Sequence, residues 1–363
     1  MKNMIYGAGV YGEIFAKEIE KSGYLVENFI DQHTQKKSMY NKDIKRLKDI
    51  DVSDITIFIS ITSPHAEQEV LSDLKKLGAK HIFSFVDTLH KFPKLVEKCV
   101  SFTKTWYSPD RKKMINENKL ALFETLLKDT KSKELLKSVI NFREELSAEN
   151  YLIPDLQTQY FPSDIDLFSS LETIRFVDGG AFIGDTLASS MLEFQKVNKE
   201  VEYIISFEPD NANILKLSEE VTLQKQRHPK SNFFIYPCGL WSSNKILQFS
   251  NNSNSNSSLI NKVSESTISI MTIALDETII GAIPNYIKMD IEGAEKEAIL
   301  GAKKIISTQS PVLAICLYHK AEDLWELPLL INDLNPNYDM HLRIYGSMGL
   351  ELVLYCVPKK CIN

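Results

Sequence analysis

Hydrophobic and polar positions along this chain switch between helical and strand spacing, and the switches mark out its elements. Met4, Ile5 and Tyr6 form an apolar run that ends in a glycine turn; Ile14, Phe15 and Ile19 then share one helical face, and a second strand closes on Phe29, Ile30 and Asp31. This is a β-α-β unit. The run ITIFISI at 55–61, helical spacing over 65–77 and the short strand HIFSF carry the alternation to about residue 86, which predicts a small doubly wound domain. Strand signals stop between 92 and 150. There, Lys/Glu/Leu-rich stretches at 117–128 and 132–146 keep helical spacing, so a helical connector with a solvated charged face is expected.

Alternation resumes with IRFVD at 174–178, a helix from Gly184, YIISF at 203–207, a helix from about Asn211, then FFIY, ISIMTI and YIKM, a helix from Gly293, and PVLAICLY. This order implies a second parallel sheet. DMHLRIY and ELVLYCV are separated only by GSMGL, short enough for an antiparallel hairpin at the edge of that sheet. The expected fold class is α/β, with two doubly wound domains at 1–92 and 151–363 joined by a helical connector at 93–150. The Asn/Ser-rich stretch at 250–259 reads as a mobile loop or a substrate lid.

Composition narrows the class. At 363 residues the chain is long enough for two cores, and 44% hydrophobic with 25% charged residues is the balance of a globular protein. A net charge of −6, with Lys and Arg scattered, leaves no basic stripe, so nucleic acid is not an expected partner. Cys99, Cys238, Cys316, Cys356 and Cys361 show no CxxC spacing, which suggests neither zinc nor a disulfide framework and fits reduced thiols in a cytosol. No apolar run approaches the roughly 18 residues of a spanning helix, and glycines interrupt the segment where a signal peptide needs an apolar core. A cytoplasmic protein without membrane contact is expected, and Asn251 and Asn256 match the N-x-[ST] pattern by chance.

The candidate chemistry begins at FVDGGAFIGDT, 176–186, where a buried strand ends in Asp178 and Gly179, Gly180 and Gly184 lead into a helix. Glycines let backbone approach a bulky ligand, and the carboxyl end of a strand is where open α/β sheets bind ligands. No G-K-[ST] follows, so this is not a P-loop. Glu208 ends the next strand, where an acid can accept hydrogen bonds from both hydroxyls of a ribose. Turn and acid together indicate a nucleoside, with a purely structural turn as the alternative. The segment IKMDIEGAEKEAILGA, 287–302, ends a strand in Asp290 and sets Glu292 and Glu295 around Gly293, where acids also serve as helix caps. Asp290 nevertheless falls at the same sheet edge as Asp178 and Glu208, and PVLAICLY delivers His319, followed by Lys320, to that edge as well.

These blocks resemble the FkbM-type methyltransferases, which are S-adenosylmethionine-dependent O-methyltransferases, many acting on sugars or glycosylated metabolites. The similarity runs in the family's order through FVDGGAFIGDT, SFEPDNANILKL, FFIYPCGLW, LDETI, IKMDIEGAEKEAILGA, LYHKAEDLWEL and the closing LRIYG and ELVLYCV, with TQYFP from Thr158 as a lead-in. The resemblance implies a class I, seven-stranded methyltransferase sheet. It implies that Asp178, Gly179, Gly180, Phe182, Gly184, Asp185 and Thr186 surround the methionine part of S-adenosyl-L-methionine. Glu208, with Pro209 and Asp210, would lie at the ribose; Cys238, Gly239 and Leu240 about the adenine; and Asp290, Glu292 and His319 at the reacting centre, Asp290 also touching the cofactor.

Methyl transfer from a sulfonium is an in-line displacement, so alignment dominates. An alkyl hydroxyl also needs a base, and His319, with an unperturbed pKa of about 6.5, is the expected one, a structural histidine being the alternative. A divalent cation on Asp290, Glu292 and His319 is a further alternative and not the expected case.

In the N-terminal domain, Gly7, Gly9 and Gly12 make a G-x-G-x-x-G after a strand and before a helix, with Asp31 about twenty residues on, the dinucleotide context. YGAG followed by a strand ending FID also resembles the small N-terminal domain of bacterial sugar acyltransferases, which implies a nucleotide-sugar site as readily. A ligand-free domain used in assembly, such as a homo-oligomer, is the third reading. The expected function is an O-methyltransferase acting on a sugar, such as a nucleotide-activated hexose or heptose or a surface-polysaccharide precursor. The rivals are a nicotinamide-dependent sugar oxidoreductase and a non-catalytic S-adenosylmethionine-binding scaffold.

Overall fold

The computed structural model describes residues 2–250 and 267–360. Asn251, Asn256, Cys361 and nearly all of the Asn/Ser-rich stretch therefore lie outside the described residues. The chain divides into two compact units. One comprises Met1–Met114, Lys137–Leu156 and Ile344–Leu350, the other Ile115–Leu136, Gln157–Arg343 and Glu351–Asn363.

In the first unit, strands β1 (Lys2–Tyr6), β2 (Val26–Ile30), β3 (Ser38–Met39), β4 (Lys42–Lys45), β5 (Ile55–Ile59) and β6 (His81–Phe83) form one sheet in the order β3-β4-β2-β1-β5-β6. The pairs β1–β2, β1–β5, β2–β4 and β5–β6 are parallel. β5 is buried along its whole length, which is why ITIFI reads as an unbroken apolar run rather than an alternating one. The antiparallel pair β3–β4 extends one edge; its residues alternate half-buried and exposed and carry too little apolar pattern to be read from sequence. Phe15, Ala16 and Ile19 of the helix Val10–Lys21 are fully buried, as the spacing requires. The fully buried Trp106 donates through its indole N–H to the Met348 carbonyl at 3.1 Å, and the Arg143 guanidinium stacks 4.8 Å from its ring.

The second unit carries β7 (Thr173–Gly179), β8 (Glu200–Phe207), β9 (Asn232–Tyr236), β10 (Gly239–Leu240), β11 (Lys245–Ser250), β12 (Thr267–Ile273), β13 (Tyr286–Met289), β14 (Val312–Cys316), β15 (Tyr338–Ile344) and β16 (Leu352–Pro358). Among the described residues, seven of these form a sheet in the order β15-β16-β14-β13-β7-β8-β9. β7, β8, β9, β13 and β14 run parallel, whereas β16 is antiparallel to β14, so the C-terminal hairpin closes one edge as the short GSMGL connection requires.

The strand at 268–273, expected in this parallel sheet, belongs instead to a separate three-stranded sheet, β10-β12-β11, in which β11 and β12 are antiparallel. The reason lies in burial. β13 and β14 are buried at every position, whereas Met271 on β12 and Ile246 on β11 are largely exposed, the one-sided pattern of an antiparallel ladder. Phe161, Phe168, Phe176, Phe194 and Tyr286 interlock as mostly edge-to-face pairs and fix the 157–168 lead-in against β7 and β13. No helix among the described residues is long and apolar enough to cross a membrane.

Candidate active site

The carboxyl ends of β7, β8, β13 and β14 converge on one edge of the seven-stranded sheet. After β7 the chain turns sharply, with positive φ at Gly180 (76°), Phe182 (47°) and Gly184 (91°), before the helix Asp185–Lys196 begins. The amides of Gly180 and Ala181 both donate to the Phe207 carbonyl at 3.0 Å, which ties the turn to the end of β8. A Cβ on Gly180 would stand 1.9 Å from the Asp290 carbonyl oxygen, so only glycine allows the β7 and β13 ends to approach this closely. Gly184 serves a different purpose from the one its sequence suggests. Its Cβ would meet Glu220 at 2.9 Å and Leu217 at 3.3 Å, so the missing side chain makes room for the helix Asn211–Arg227 rather than for a ligand.

Glu208, at the end of β8, is 6% exposed. Its Oε2 accepts from the Phe182 amide at 2.9 Å and its Oε1 from the Asp210 amide at 2.8 Å and from Asn213. Burial outweighs these hydrogen bonds and pushes its carboxyl above the ordinary range. Asp210 faces away from this chemistry: it caps the helix Asn211–Arg227 through the amides of Ala212 and Asn213, with Pro209 leading into the cap. Cys238 and Leu240 are buried and flank Gly239 beside the turn, where Leu240 fills the space a Gly179 side chain would need.

Asp178 does not reach the cleft. It is fully buried and pairs with Lys288, itself 1% exposed, at 3.0 Å. Lys288 Nζ also donates to the Gly180 carbonyl at 2.7 Å and lies 5.1 Å from the Tyr160 ring. Burial lowers the ammonium's pKa, but the carboxylates of Asp178 and Asp290 more than reverse this and hold it charged. Burial pushes Asp178 upward, with Lys288 opposing. Lys288 was not singled out by the sequence reading, although a lysine inside the otherwise apolar strand YIKM is a legible signal.

Asp290 accepts from the Tyr160 hydroxyl at 2.7 Å and from the Tyr318 hydroxyl at 3.1 Å. Burial disfavours its charge, but Lys288, His319 and the two hydroxyls outweigh it and keep the carboxyl below its usual range. His319 is 8% exposed. Its Nδ1 lies 2.9 Å from Glu295 Oε1, and its Nε2 3.3 Å from Asp290 Oδ1 and 3.8 Å from Glu292 Oε2. Burial disfavours the imidazolium, yet Glu295, Asp290 and Glu292 together raise its pKa to about 9. The imidazole is therefore mostly protonated at neutral pH, contrary to the unperturbed value that made it attractive as a base.

The edge opens into a cleft of about 250 Å³ lined by Tyr160, Gly180, Phe182, Asp185, Thr186, Lys288, Asp290, Tyr318 and Glu351, among others. Of its described lining residues, Asp185, Asp290 and Glu351 are carboxylates and Lys288 alone is basic, already engaged by Asp178. The cleft wall thus carries surplus negative charge. Glu292 and His319 stand beside the cleft, reaching it through Asp290. Tyr160 and Tyr318 escaped the sequence reading because a tyrosine in a loop or at a strand end carries no spacing signal.

In the first unit the turn at 7–12 forms as its glycines predict. A Cβ on Gly12 would stand 2.1 Å from the Gly7 carbonyl oxygen, whereas one on Gly9 would meet nothing within 4 Å. Asp31 Oδ2 accepts from the Ala8 amide at 2.9 Å and Oδ1 from the amides of His33 and Thr34 at 2.8 and 2.9 Å. Each carboxylate oxygen of Asp31 thus accepts from the chain's own amides, as each oxygen of Glu208 does in the second unit.

With this geometry in place, the comparisons with known proteins are specific. Residues 178–346 match the model of the methyltransferase FkbM domain, which takes in the glycine turn, Glu208, Asp290 and His319. A crystal structure of methyltransferase FkbM from Methylobacillus flagellatus KT shares the fold, with a TM-score of 0.63 at 21% identity, over 98% of this chain and 89% of that one. No curated protein matches the chain.

Proposed function

We propose that this chain, whose residues 178–346 carry a methyltransferase FkbM domain, transfers a methyl group from S-adenosyl-L-methionine to a hydroxyl of a sugar. The observation that carries the reading is the single edge at which the glycine turn and Asp290 line one cleft, with the Glu208 carboxylate bonded to the turn through the Phe182 amide. The residues fit the cofactor. Its sulfonium and ammonium are cations, and the cleft offers Asp185, Asp290 and Glu351 with its one lysine already neutralised. Glu208 stands where ribose hydroxyls are bound in sheets of this kind.

When bound, the cofactor supplies an electrophilic methyl carbon attached to a good leaving group. The protein's task is then alignment and proton removal. Lys288 fixes the turn through the Gly180 carbonyl, while Tyr160 and Tyr318 fix the direction of the Asp290 carboxylate. A sugar hydroxyl donating to Asp290 would lose its proton to the Asp290–His319–Glu295 group, in which His319 becomes able to accept a proton as it deprotonates toward pH 9. A sugar acceptor suits the polar lining, where hydroxyl and carboxylate groups outnumber apolar ones.

Transfer of labelled methyl groups to a panel of nucleotide sugars, with S-adenosylhomocysteine measured as the second product, tests the reading. Binding of the cofactor without turnover on any hydroxylated acceptor would favour a scaffold; absence of cofactor binding would refute it outright.

A further inference from the structure

We propose that the first unit carries a binding site for a small phosphorylated ligand, in the cavity between the C-terminal end of the helix Val10–Lys21 and the N-terminal end of the helix Lys94–Thr103. The cavity holds about 480 Å³, a size usual for small-molecule sites, and is larger than the cleft of the second unit. Its wall brings together Lys21, Lys91, Lys94 and Lys98 against the single carboxylate of Glu18. The four lysines come from segments far apart in sequence, so no run of charge announces them. Glu18 is 4% exposed and takes Lys98 at 2.5 Å, which leaves the other three ammonium groups in surplus. Lys21 and Lys94 have no ion-pair partner among the described residues. Lys91 Nζ lies 5.4 Å from the Tyr24 ring and 5.1 Å from the Phe83 ring, contacts that hold the ammonium in place without neutralising it.

Helix chemistry accounts for only part of this set. Lys21 and Lys91 sit in the last turns of the helices Val10–Lys21 and Phe85–Lys91, where the dipole favours a cation. Lys94 does the opposite. It stands in the first turn of its helix, at the positive end of the dipole, and one turn from Lys98 on the same face, a like-charge spacing that is destabilising. Pro93 opens that helix without a side-chain cap. An anion in the cavity would offset the surplus ammonium groups and meet the positive end of the helix at once.

A phosphate or pyrophosphate group suits the arrangement, because lysine binds phosphate as a point charge and several ammonium groups around one concave space match several charges on one small group. Tyr24 and Phe92, packed edge to face at 5.5 Å, give the cavity an apolar wall for the organic part of such a ligand. A macromolecular polyanion calls for a stripe of cations, and at net charge −6 the chain as a whole repels one. The site does not rest on the methyl-transfer reading, since none of its residues lines the cleft of the second unit.

The test titrates inorganic pyrophosphate into the full chain by isothermal calorimetry, with a chelator present and at an ionic strength of about 0.15 M. One pyrophosphate per chain is expected, bound roughly threefold or more weakly by Lys21→Gln and by Lys94→Gln, and roughly tenfold or more weakly by the double variant. Both lysines are exposed, so the variants should fold, and thermal melting checks that they do. Lys230→Gln, which removes an exposed lysine of the second unit, should bind pyrophosphate as the parent does. No binding at millimolar pyrophosphate, parent-like affinity in the double variant, or an equal loss in Lys230→Gln overturns the proposal. Binding to phosphatidylserine vesicles or to a single-stranded oligonucleotide that is tighter than binding to pyrophosphate, and is lost in the double variant, also overturns it, in favour of a membrane or nucleic-acid surface.

Discussion

Replacing Lys288 with methionine tests whether the buried Asp178–Lys288 pair, rather than the glycines alone, sets the 179–184 turn. Both side chains are sealed from solvent, so Lys288→Met leaves the Asp178 carboxylate without its cation and the Gly180 carbonyl without its donor. Removing one partner of a buried ion pair typically costs about 3–5 kcal/mol. For a body of 150–250 residues each kcal/mol is worth about 2–4 °C, so melting should fall by about 6–20 °C. Replacing both members, Asp178→Leu with Lys288→Met, should restore most of that loss, because well-packed apolar substitutes for a buried pair are often neutral or stabilising. Cofactor affinity should not recover. The hydrogen bond from Lys288 to Gly180 is charge-assisted, a class worth about 1.5–3 kcal/mol, or roughly 10–100-fold in binding. Scanning calorimetry and isothermal titration with S-adenosylmethionine read the two effects separately. A Lys288→Met protein that melts with the parent, or a double variant that binds cofactor normally, would refute the assignment.

Gly180→Ala should abolish cofactor binding, since its Cβ must displace the Asp290 backbone and occupy a left-handed φ that costs about 1–2 kcal/mol, whereas Gly9→Ala, which meets open space, should leave stability unchanged in thermal melts. Because the folded-state pKa of His319 is raised from 6.5 to about 9, its contribution to stability is fully present below pH 6.5 and is lost as pH rises toward 9. Melting temperature should therefore fall across that window in the parent and stay flatter in His319→Asn, and kcat should rise toward pH 9 if neutral His319 takes the acceptor proton. Arg343 is buried against Asp129 and Asp164, carboxylates that stay partly exposed and keep His341 and Lys131, so Arg343→Met should destabilise by about 1.5–3 kcal/mol in urea unfolding. The Asp129 pKa is lowered to about 2 despite burial, through His341, Ser132 and Arg343; its contribution, present above its unfolded value of about 3.8 and lost as pH falls toward 2, should shrink on the acid limb in that variant, His341 and Ser132 keeping the remainder.

The sequence by itself determined the alternation of elements and the sheet edge to which the acids are brought. Buried strands such as ITIFI and VLAIC read as apolar runs, and a strand followed by glycines and a helix forces the turn at 179–184 to the carboxyl end of β7. Because parallel strands share a direction, Asp178, Glu208, Asp290 and His319 had to end near one edge whatever their side chains did there. What each side chain faces depends on packing between segments far apart in sequence, and only the tertiary structure decided it. The helix Glu117–Leu126, read as part of a connector, buries Leu120 and Phe123 within the second unit, where Lys119 pairs with Glu326 more than two hundred residues away. Gly184 clears Glu220, Asp178 turns inward to Lys288, and Asp290 receives hydroxyls from Tyr160 and Tyr318, contacts that no local period encodes. The charge state of His319 belongs to the same class: its residue type suggests a neutral base, but three carboxylates supplied by a separate strand end and helix start make it a cation, since electrostatic neighbours act through space and not along the chain.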